Sequence, residues 1–335
     1  FTPDGRFVDR PLGDALQIRK RPQAPIQIVF GGHYDTVFPP DSPFQSMKEI
    51  KPGVWSGPGA ADMKGGLAIL LTALEAFEQS PLSDKIGWEV LLTPDEELGS
   101  PGSASLYRAA AKRKRLGIIF EPSFPDGALV NERNGSAHYC VTIKGRAAHS
   151  GRDFDQGRSA VFALARVICQ LEKLKIERQW IINVADIEGK GPVNIVPPLA
   201  SCRINIRGSD LQMFADFSSL LKKIAHENEE EGIQIELFED ISRPPKLFDK
   251  RTQHLLEAWG ECAKELNLPF HYRPSGGVTD GNTLAEEGVP TLDSAGAIGG
   301  GLHTHDEYIV QKSLVDRAKL TALLLLRIAS EEIEI

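Results

Sequence analysis

Short apolar runs alternate with amphipathic segments in the first part of the chain. Runs at 26–30, 86–94 and 116–122 predict buried strands. Apolar residues at helical spacing predict helices over 65–80 and 100–113, the second with a serine N-cap. Strands that alternate with helices are typical of a largely parallel sheet that is covered on both faces, so this part of the chain predicts an α/β domain.

The pattern changes near residue 136, where apolar and polar residues alternate as in a strand with one solvated face. The elements predicted there are, in order, a strand at 137–145, a helix at 157–174, strands at 179–189 and 199–208, a helix near 210–229 and a strand at 233–240. This βαββαβ order is that of a ferredoxin-like domain.

The first pattern resumes after this segment, with predicted helices over 249–266 and 311–331. The simplest account is one larger α/β domain with a small domain inserted into it. The expected boundaries give a larger domain of residues 1–135 and 243–335 and an inserted domain of residues 136–242.

Composition limits the classes of partner. The chain of 335 residues has 38 Lys and Arg against 46 Asp and Glu, a formal net charge of −8, which argues against nucleic acid as a partner. No apolar run reaches transmembrane length, so no membrane partner is expected. Four cysteines without a Cys-x-x-Cys pair fit a reducing compartment, and we expect a cytoplasmic protein. The unusual start FTPDGRFVDRP leaves a lost targeting segment open.

Acidic residues and histidines follow several of the predicted strands. They are His33, Asp35, Asp62, Glu96, Glu97, Glu121 and His303. In open α/β sheets, ligands bind outside the carboxyl ends of the strands, so these side chains are expected at one edge. Imidazoles with carboxylates suit zinc or a similar divalent ion, and the excess of carboxylates predicts two ions with Asp62 as the bridge. One of the paired glutamates would bind metal while the other takes a proton from water.

Five motifs occur in order along the chain: GGHYDTV, GPGAADMKGG, TPDEELGS, FEPS and HTHDEY. Together they resemble those of the co-catalytic zinc metallopeptidase family of aminoacylase, acetylornithine deacetylase, succinyl-diaminopimelate desuccinylase and bacterial glutamate carboxypeptidase. KGRAAHSG and NIVPPLASCRINIR resemble the motifs of that family's dimerisation domain. The resemblance runs from residue 26 through nearly the whole chain. It implies a zinc-exopeptidase-like catalytic domain, with a mostly parallel sheet between helices, and an inserted ferredoxin-like dimerisation domain.

The resemblance also implies two zinc ions per subunit, with cobalt or manganese as possible substitutes. His33, Asp62 and Glu121 would bind one ion. Asp62, Glu97 and His303 would bind the other, so that Asp62 is shared.

Further roles near the metals follow from the same resemblance. Asp35 would orient His33, and Glu96 would act as the general base and then as the acid. The peptide bond between Asp62 and Met63 is expected to be cis. His305 competes with His303 as a ligand, but the family's ligand lies four residues before the glutamate of the DE pair, which selects His303.

On the substrate side, the resemblance implies a homodimer in which His149 reaches the partner's active site and stabilises the oxyanion. Asn194 and Arg207 resemble the family's substrate-binding pair, with Arg207 binding a carboxylate at two points. The loops expected to line the substrate site contribute Gly276, Gly277 and Gly300.

The resemblance thus implies a dinuclear zinc hydrolase that cleaves an amide bond next to an amino acid carboxylate, through a metal-bound water activated by Glu96. FEPS, SGGVTDGN and GGGLHT look closest to the glutamate carboxypeptidase branch, so a small peptide is the expected substrate. An N-acyl amino acid deacylase, of the acetylornithine or succinyl-diaminopimelate type, is the first alternative. A single-metal hydrolase and a catalytically silent binding protein on the same scaffold are the others.

Overall fold

In a computed structural model of the chain, residues 11–178 and 180–333 are described, without the side chains of residues 241 and 242. The chain divides into two compact units. The larger unit comprises residues 12–133 and the described residues from 246 onward, and the inserted unit comprises residues 134–245 together with Pro11. Residues 1–10, Gln179 at the start of one predicted strand, and residues 334 and 335 lie outside the described residues.

The described residues form the following strands and helices. The strands are β1 (Leu16–Lys20), β2 (Ile26–His33), β3 (Lys48–Lys51), β4 (Val54–Ser56), β5 (Ile86–Thr93), β6 (Leu116–Ile119), β7 (Leu129–Arg133), β8 (Gly135–Lys144), β9 (Ile181–Glu188), β10 (Leu199–Gly208), β11 (Gln234–Arg243), β12 (Tyr272–Ser275), β13 (Thr291–Leu292), β14 (Gly299–Gly300) and β15 (Tyr308–Val310). The helices are α1 (Gly65–Glu78), α2 (Ala104–Ala111), α3 (Ala160–Arg178), α4 (Leu211–Asn228), α5 (Lys250–Glu265), α6 (Asp280–Glu286) and α7 (Gln311–Ala329).

The main sheet of the larger unit has the strand order β1-β5-β2-β6-β13. Strands β5, β2, β6 and β13 are parallel, and β1 is antiparallel to β5 at one edge. Both faces are covered because successive residues of β2 enter different cores. Phe30 packs in a cluster with residues of α1, α5 and α7, whereas Val29 packs with Tyr107 of α2 and Leu284 of α6. The predicted α/β domain with a mostly parallel sheet is confirmed.

The inserted unit contains a four-stranded antiparallel sheet of order β11-β8-β10-β9. Its core joins apolar residues of the strands to those of α3 and α4, among them Ile143, Leu164 and Phe217. The element order β8-α3-β9-β10-α4-β11 is the βαββαβ arrangement expected from the sequence, so the ferredoxin-like prediction is confirmed. None of the described helices combines the length and apolar character needed to cross a bilayer.

The chain leaves the larger unit after Arg133 and returns to it at Lys246. These two residues are paired in the larger unit, since the N–H of Arg133 donates to the Lys246 carbonyl at 3.0 Å and the N–H of Lys246 donates to the Arg133 carbonyl at 3.1 Å. The Lys246 side chain is fully buried, and its ammonium donates to the Asn131 carbonyl.

Two expectations about local structure were incomplete or wrong. Strand β1 was missed because all five of its residues are exposed, so it carries no pattern of burial. Ser103 precedes α2 at the N-cap position, but its side chain makes no capping hydrogen bond. Its hydroxyl donates instead to the carboxylate of Asp95, which lies within reach and competes for it.

Candidate metal centre

The parallel strands bring several predicted side chains to one edge of the main sheet. His33 is the last residue of β2, Glu121 follows β6, and the turn that contains Glu96 and Glu97 follows β5. Because β2, β5 and β6 are parallel neighbours, their carboxyl ends meet. Asp62 comes from a short turn, Ala60–Lys64, that leads directly into α1.

The first cluster of possible ligand atoms belongs to His33, Asp62 and Glu121. All three residues are buried, and one ligand atom from each lies within 4.8 Å of the others. His33 Nε2 is 3.1 Å from Asp62 Oδ1 and 3.8 Å from Glu121 Oε1.

The second cluster contains Asp62 again, together with Glu97 and His303. His303 Nε2 is 3.3 Å from Asp62 Oδ2 and 3.2 Å from Glu97 Oε2. His303 has a positive φ of 62°, and about half of its side chain is exposed, at 55%. This side of the centre is therefore open to a ligand.

The two oxygens of Asp62 face different histidines, which is how a bridging carboxylate serves two ions. Donor atoms held tetrahedrally at about 2.0 Å from one zinc ion lie about 3.3 Å apart. The separations of 3.1 Å to His33 and 3.3 Å to His303 fit that spacing. The residues present therefore fit a pair of divalent ions that share Asp62.

Asp35 connects the first cluster to the glutamate turn. Its Oδ1 lies 3.3 Å from His33 Nδ1, so the ring nitrogen that faces away from the cluster has a partner. The same carboxylate accepts the backbone N–H of Glu96 at 3.3 Å and that of Glu97 at 3.0 Å. One side chain thus orients an imidazole and fixes the turn that carries both glutamates.

Glu307 fixes the turn that carries Asp62, a role that the sequence did not suggest. It is buried, and its two oxygens accept the backbone N–H groups of Gly59, Ala61 and Asp62 at 2.8–3.0 Å. The Asp62–Met63 peptide bond in this turn is cis, as the resemblance implied. The DE pair of HTHDEY, which distinguishes His303 from His305 as a ligand, is the available sequence signal for this role.

Asp95 and Asp280 hold the remainder of the glutamate turn, and the sequence assigned a role to neither. Asp95 is fully buried and accepts the backbone N–H of Gly102 at 2.7 Å and that of Ser103 at 3.2 Å. The Ser100 hydroxyl donates to Asp280 at 2.5 Å. Both ends of the segment after β5 are therefore anchored by buried carboxylates.

The concentration of carboxylates shifts several pKa values. Burial opposes protonation of His33, yet its hydrogen bonds with Asp35 and Asp62 raise its pKa well above the ordinary value. Hydrogen bonds with Asp62 and Glu97 raise the pKa of His303 to about 10. Burial raises the pKa of Glu121. The centre therefore attracts positive charge, and a bound cation would displace these protons because it binds the neutral imidazole.

A cavity of about 400 Å³ opens beside the two clusters within the larger unit. Glu96 and Arg133 line it, as do the predicted Gly277 and Gly300. Gly276 is absent from the described residues that form its wall.

The other predicted substrate residues belong to the inserted unit. His149 and Asn194 are exposed, and their segments are neighbours because Ser150 N–H donates to the Asn194 carbonyl at 3.0 Å. Arg207 lies on β10, where its Nε donates to Asn205 Oδ1 at 3.3 Å. Their predicted roles remain predictions.

Two histidine–carboxylate clusters that share one aspartate, at the carboxyl edge of a mostly parallel sheet, fit the ligand arrangement of hydrolases that use a pair of adjacent metal ions. The sequence model of Peptidase family M20/M25/M40 matches residues 29–327, and the chain belongs to this family. The resemblance noted from the motifs is therefore confirmed, and the protein is an enzyme of the metallopeptidase and amidohydrolase class.

Individual relatives are distant but cover most of the chain. Carboxypeptidase G2 of Pseudomonas sp. (strain RS-16) is 26% identical over 316 residues, which cover 91% of this chain and 74% of that protein. A succinyl-diaminopimelate desuccinylase of Dechloromonas aromatica (strain RCB) is 27% identical over 341 residues, with 95% and 86% covered.

Solved structures show the same fold. An M20 family metallo-carboxypeptidase from Sulfolobus solfataricus superposes with a TM-score of 0.72 at 19% identity, covering 93% of this chain and 87% of that one. A dinuclear metal binding peptidase of the M20 family from Bacillus subtilis has a TM-score of 0.68 at 15% identity, with 94% and 85% covered.

The role of Glu307 leads to a prediction about metal affinity. Glu307→Gln replaces one acceptor oxygen with an amide group that faces backbone donors, so the turn that carries Asp62 should shift. We expect the affinity for divalent metal to fall about 10- to 100-fold, as for other lost partners of ligands. Competition with a chromophoric chelator measures it. The exposed neighbour, as Asp306→Asn, is the matched control, and equal affinities in both variants would refute the role.

Proposed function

We propose that the chain is a dinuclear zinc carboxypeptidase that hydrolyses the amide bond next to the carboxylate of a terminal amino acid. The observation that carries the proposal is the shared Asp62, whose oxygens face His33 at 3.1 Å and His303 at 3.3 Å. The similarity to carboxypeptidase G2 supports the carboxypeptidase over other activities of the family.

In this proposal, each ion takes three protein ligands, and Asp62 belongs to both sets. His33 and Glu121 complete one set, and Glu97 and His303 complete the other. When bound, zinc supplies Lewis acidity, which polarises a carbonyl oxygen and lowers the pKa of water to about 7. Cobalt or manganese could replace zinc at such a centre because carboxylate and imidazole ligands accept several ions.

Glu96 is the proposed general base because its neighbour Glu97 is a proposed metal ligand, which leaves the Glu96 carboxylate available to accept a proton. It lines the cavity beside Glu97 but belongs to neither cluster of ligand atoms. Glu96 takes a proton from the attacking water as the new bond from oxygen to the carbonyl carbon forms. It then gives that proton to the amide nitrogen as the carbon–nitrogen bond breaks. The Asp35 carboxylate keeps Glu96 in place because it accepts the backbone N–H of Glu96.

The inserted unit is proposed to form a homodimer and to supply His149, Asn194 and Arg207 to substrate. Strand β9 is one of the two edge strands of its sheet, and it carries Ile181 at 52% and Ile187 at 60% exposure. An open edge with exposed apolar side chains favours pairing with another chain. Arg207 would bind the substrate carboxylate, and His149 of one subunit would stabilise the oxyanion in the other.

An N-acyl amino acid deacylase is the second candidate. The desuccinylase of Dechloromonas aromatica matches 95% of this chain, a slightly larger share than carboxypeptidase G2 does. Both reactions use the same proton transfers, so the difference lies in the group on the carbonyl side of the amide.

A substrate panel tests the proposal. Short peptides, N-acetyl amino acids, N-acetylornithine and N-succinyl-diaminopimelate are incubated with the zinc enzyme, with chelator, and with zinc restored. We expect release of a C-terminal amino acid that is lost with chelator and regained with zinc. Cleavage of the acetyl or succinyl compounds alone would assign the deacylase, and no hydrolysis by enzyme with two bound metals would refute both.

The role of Glu96 predicts a selective loss of catalysis. Glu96→Gln should keep both metals and the unfolding temperature but lose about 10²-fold or more in kcat, because the base is gone. Metal analysis and steady-state kinetics check this. Glu75→Gln, an exposed residue of α1, is the control and should match the parent enzyme. Near-parental activity of Glu96→Gln would exclude it as the base.

A shared active site predicts complementation between inactive subunits. His149→Ala and Glu96→Ala homodimers should each be inactive. An equal mixture after subunit exchange should recover up to about a quarter of the parental activity, because half of its dimers are hybrids and each hybrid holds one intact site of two. Tagged subunits would show that exchange has occurred. Exchange without any recovery would argue against a contribution of His149 across the interface.

A further inference from the structure

The cavity beside the metal centre has a wall that is apolar away from the ligands. Its apolar lining residues are Pro122, Phe124, Pro125, Val130, Val278 and Leu302. Together they give a substrate group contact with carbon atoms rather than with hydrogen-bonding groups. The carboxylates of the cavity belong to the metal edge, at Asp62, Glu96, Glu97 and Glu121.

Arg133 is the only lysine or arginine among the described residues of this wall, and its charge is already matched. It is buried, and its guanidinium makes a bidentate pair with Asp293 at 2.8 and 2.9 Å. Its other bonds go to the Gly277 carbonyl at 3.1 Å and the Ser294 hydroxyl at 3.0 Å. Four of its five N–H groups therefore donate within the protein, and its positive charge is paired with Asp293.

Two hydroxyl side chains of the wall donate to the protein as well, whereas the Ser275 and Ser294 oxygens accept hydrogen bonds from Gly277 N–H and Arg133, respectively. The Ser123 hydroxyl donates to the Ala297 carbonyl at 3.3 Å, and the Thr279 hydroxyl donates to Asp293 at 3.0 Å. These hydroxyl hydrogens are therefore directed at protein acceptors rather than at a ligand in the cavity.

Two backbone amides of the loop that borders the cavity are also engaged. Gly277 N–H donates to Ser275 Oγ at 3.1 Å, and Thr279 N–H donates to Asn282 Oδ1 at 3.0 Å. These two amides are thus directed inside the loop and do not form a site for an anion.

A nearby arginine, Arg273, contacts Phe124 and Asp126 and does not contribute to the described lining of the cavity. Its guanidinium lies 3.9 Å from the centre of the Phe124 ring and 3.2 Å from Asp126. A carboxylate placed against the apolar part of this wall, away from the metal edge, would lose water without meeting a described lysine or arginine that lacks a carboxylate partner, which is unfavourable.

We infer that this cavity selects an uncharged, mainly apolar group of the substrate and discriminates against an acidic one. The inference rests on the proposed function, in which Arg207 accounts for one substrate carboxylate and the cavity receives a group next to the scissile amide. That group is either the side chain of the released amino acid or the acyl portion. Either group would be recognised through the same apolar contacts, and the experiment below distinguishes the side chain from the acyl portion.

Two sets of matched substrates test the inference with the zinc enzyme. The first set is alanyl-methionine, alanyl-glutamine and alanyl-glutamate, whose C-terminal side chains have similar lengths. The second is N-pentanoyl-alanine and N-succinyl-alanine. We expect kcat/KM for the neutral apolar member to exceed that for the acidic member by about tenfold or more in one set. The set that responds identifies the group in the cavity. Equal or greater values for the acidic members in both sets would overturn the inference.

Binding separates this inference from the proposed function. Titration calorimetry of the metal-loaded Glu96→Gln protein with the same compounds measures affinity without turnover. Tighter binding of the neutral members by an enzyme that hydrolyses none of them would refute the proposed reaction but support the cavity's preference. Hydrolysis together with tighter binding of the acidic members would support the proposed reaction but refute the cavity's preference.

A variant that adds a cation to the wall should weaken the preference. Val278→Lys is expected to lower the neutral-to-acidic ratio of kcat/KM about tenfold or more in the responsive set. Val315→Lys, at a 55% exposed residue of α7, is the control and should leave the ratio unchanged. An unchanged ratio in a Val278→Lys protein with parental metal content and unfolding temperature would count against the inference. The parental comparison stands even where this variant does not fold.

Discussion

Negative charge concentrated around two histidines is the constraint on which the rest of the structure depends. Buried carboxylates that repel one another are costly unless donors or cations compensate them. The fold supplies fixed donors at two places, since Asp35 accepts two backbone N–H groups and Glu307 accepts three. Cations are needed for the remainder. Metal affinity and folding stability should therefore be linked, because the donors converge only in the folded chain.

The strand order determines which residues can meet at this centre. Because β2 lies between β5 and β6, His33 is adjacent both to the glutamate turn and to Glu121. The remaining donors, Asp62 and His303, come from segments outside these strands and need separate support. Buried polar contacts provide that support for Asp62, whereas His303 stays half exposed at the mouth of the cavity. The centre thus combines a rigid sheet edge with one accessible side.

Much of this arrangement could be predicted from the sequence. The order of strands and helices in the inserted unit and the central strands of the larger unit followed from periodicity, and the residues of the two clusters followed from the resemblance of the motifs. The supporting contacts could not be predicted in the same way. Glu307 bonds to a residue 245 positions away, and Ser100 bonds to Asp280 across 180 positions, so neither contact leaves a local pattern. The predicted serine cap failed for a different reason, since Asp95, eight residues before Ser103, takes the hydroxyl that would have capped the helix.

The paired backbones of Arg133 and Lys246 have a consequence for how such a chain can change. The hydrogen bonds between them belong to the larger unit, so its two chain ends are joined whatever lies between them. Closing a long loop whose ends are already joined adds little entropic cost for each extra residue. The whole segment could thus be exchanged for one of another length while the sheet edge stays intact. A paired stem of this kind allows the metal centre to be kept while the inserted segment changes. The surfaces that meet substrate and partner can then diversify independently of the metal centre.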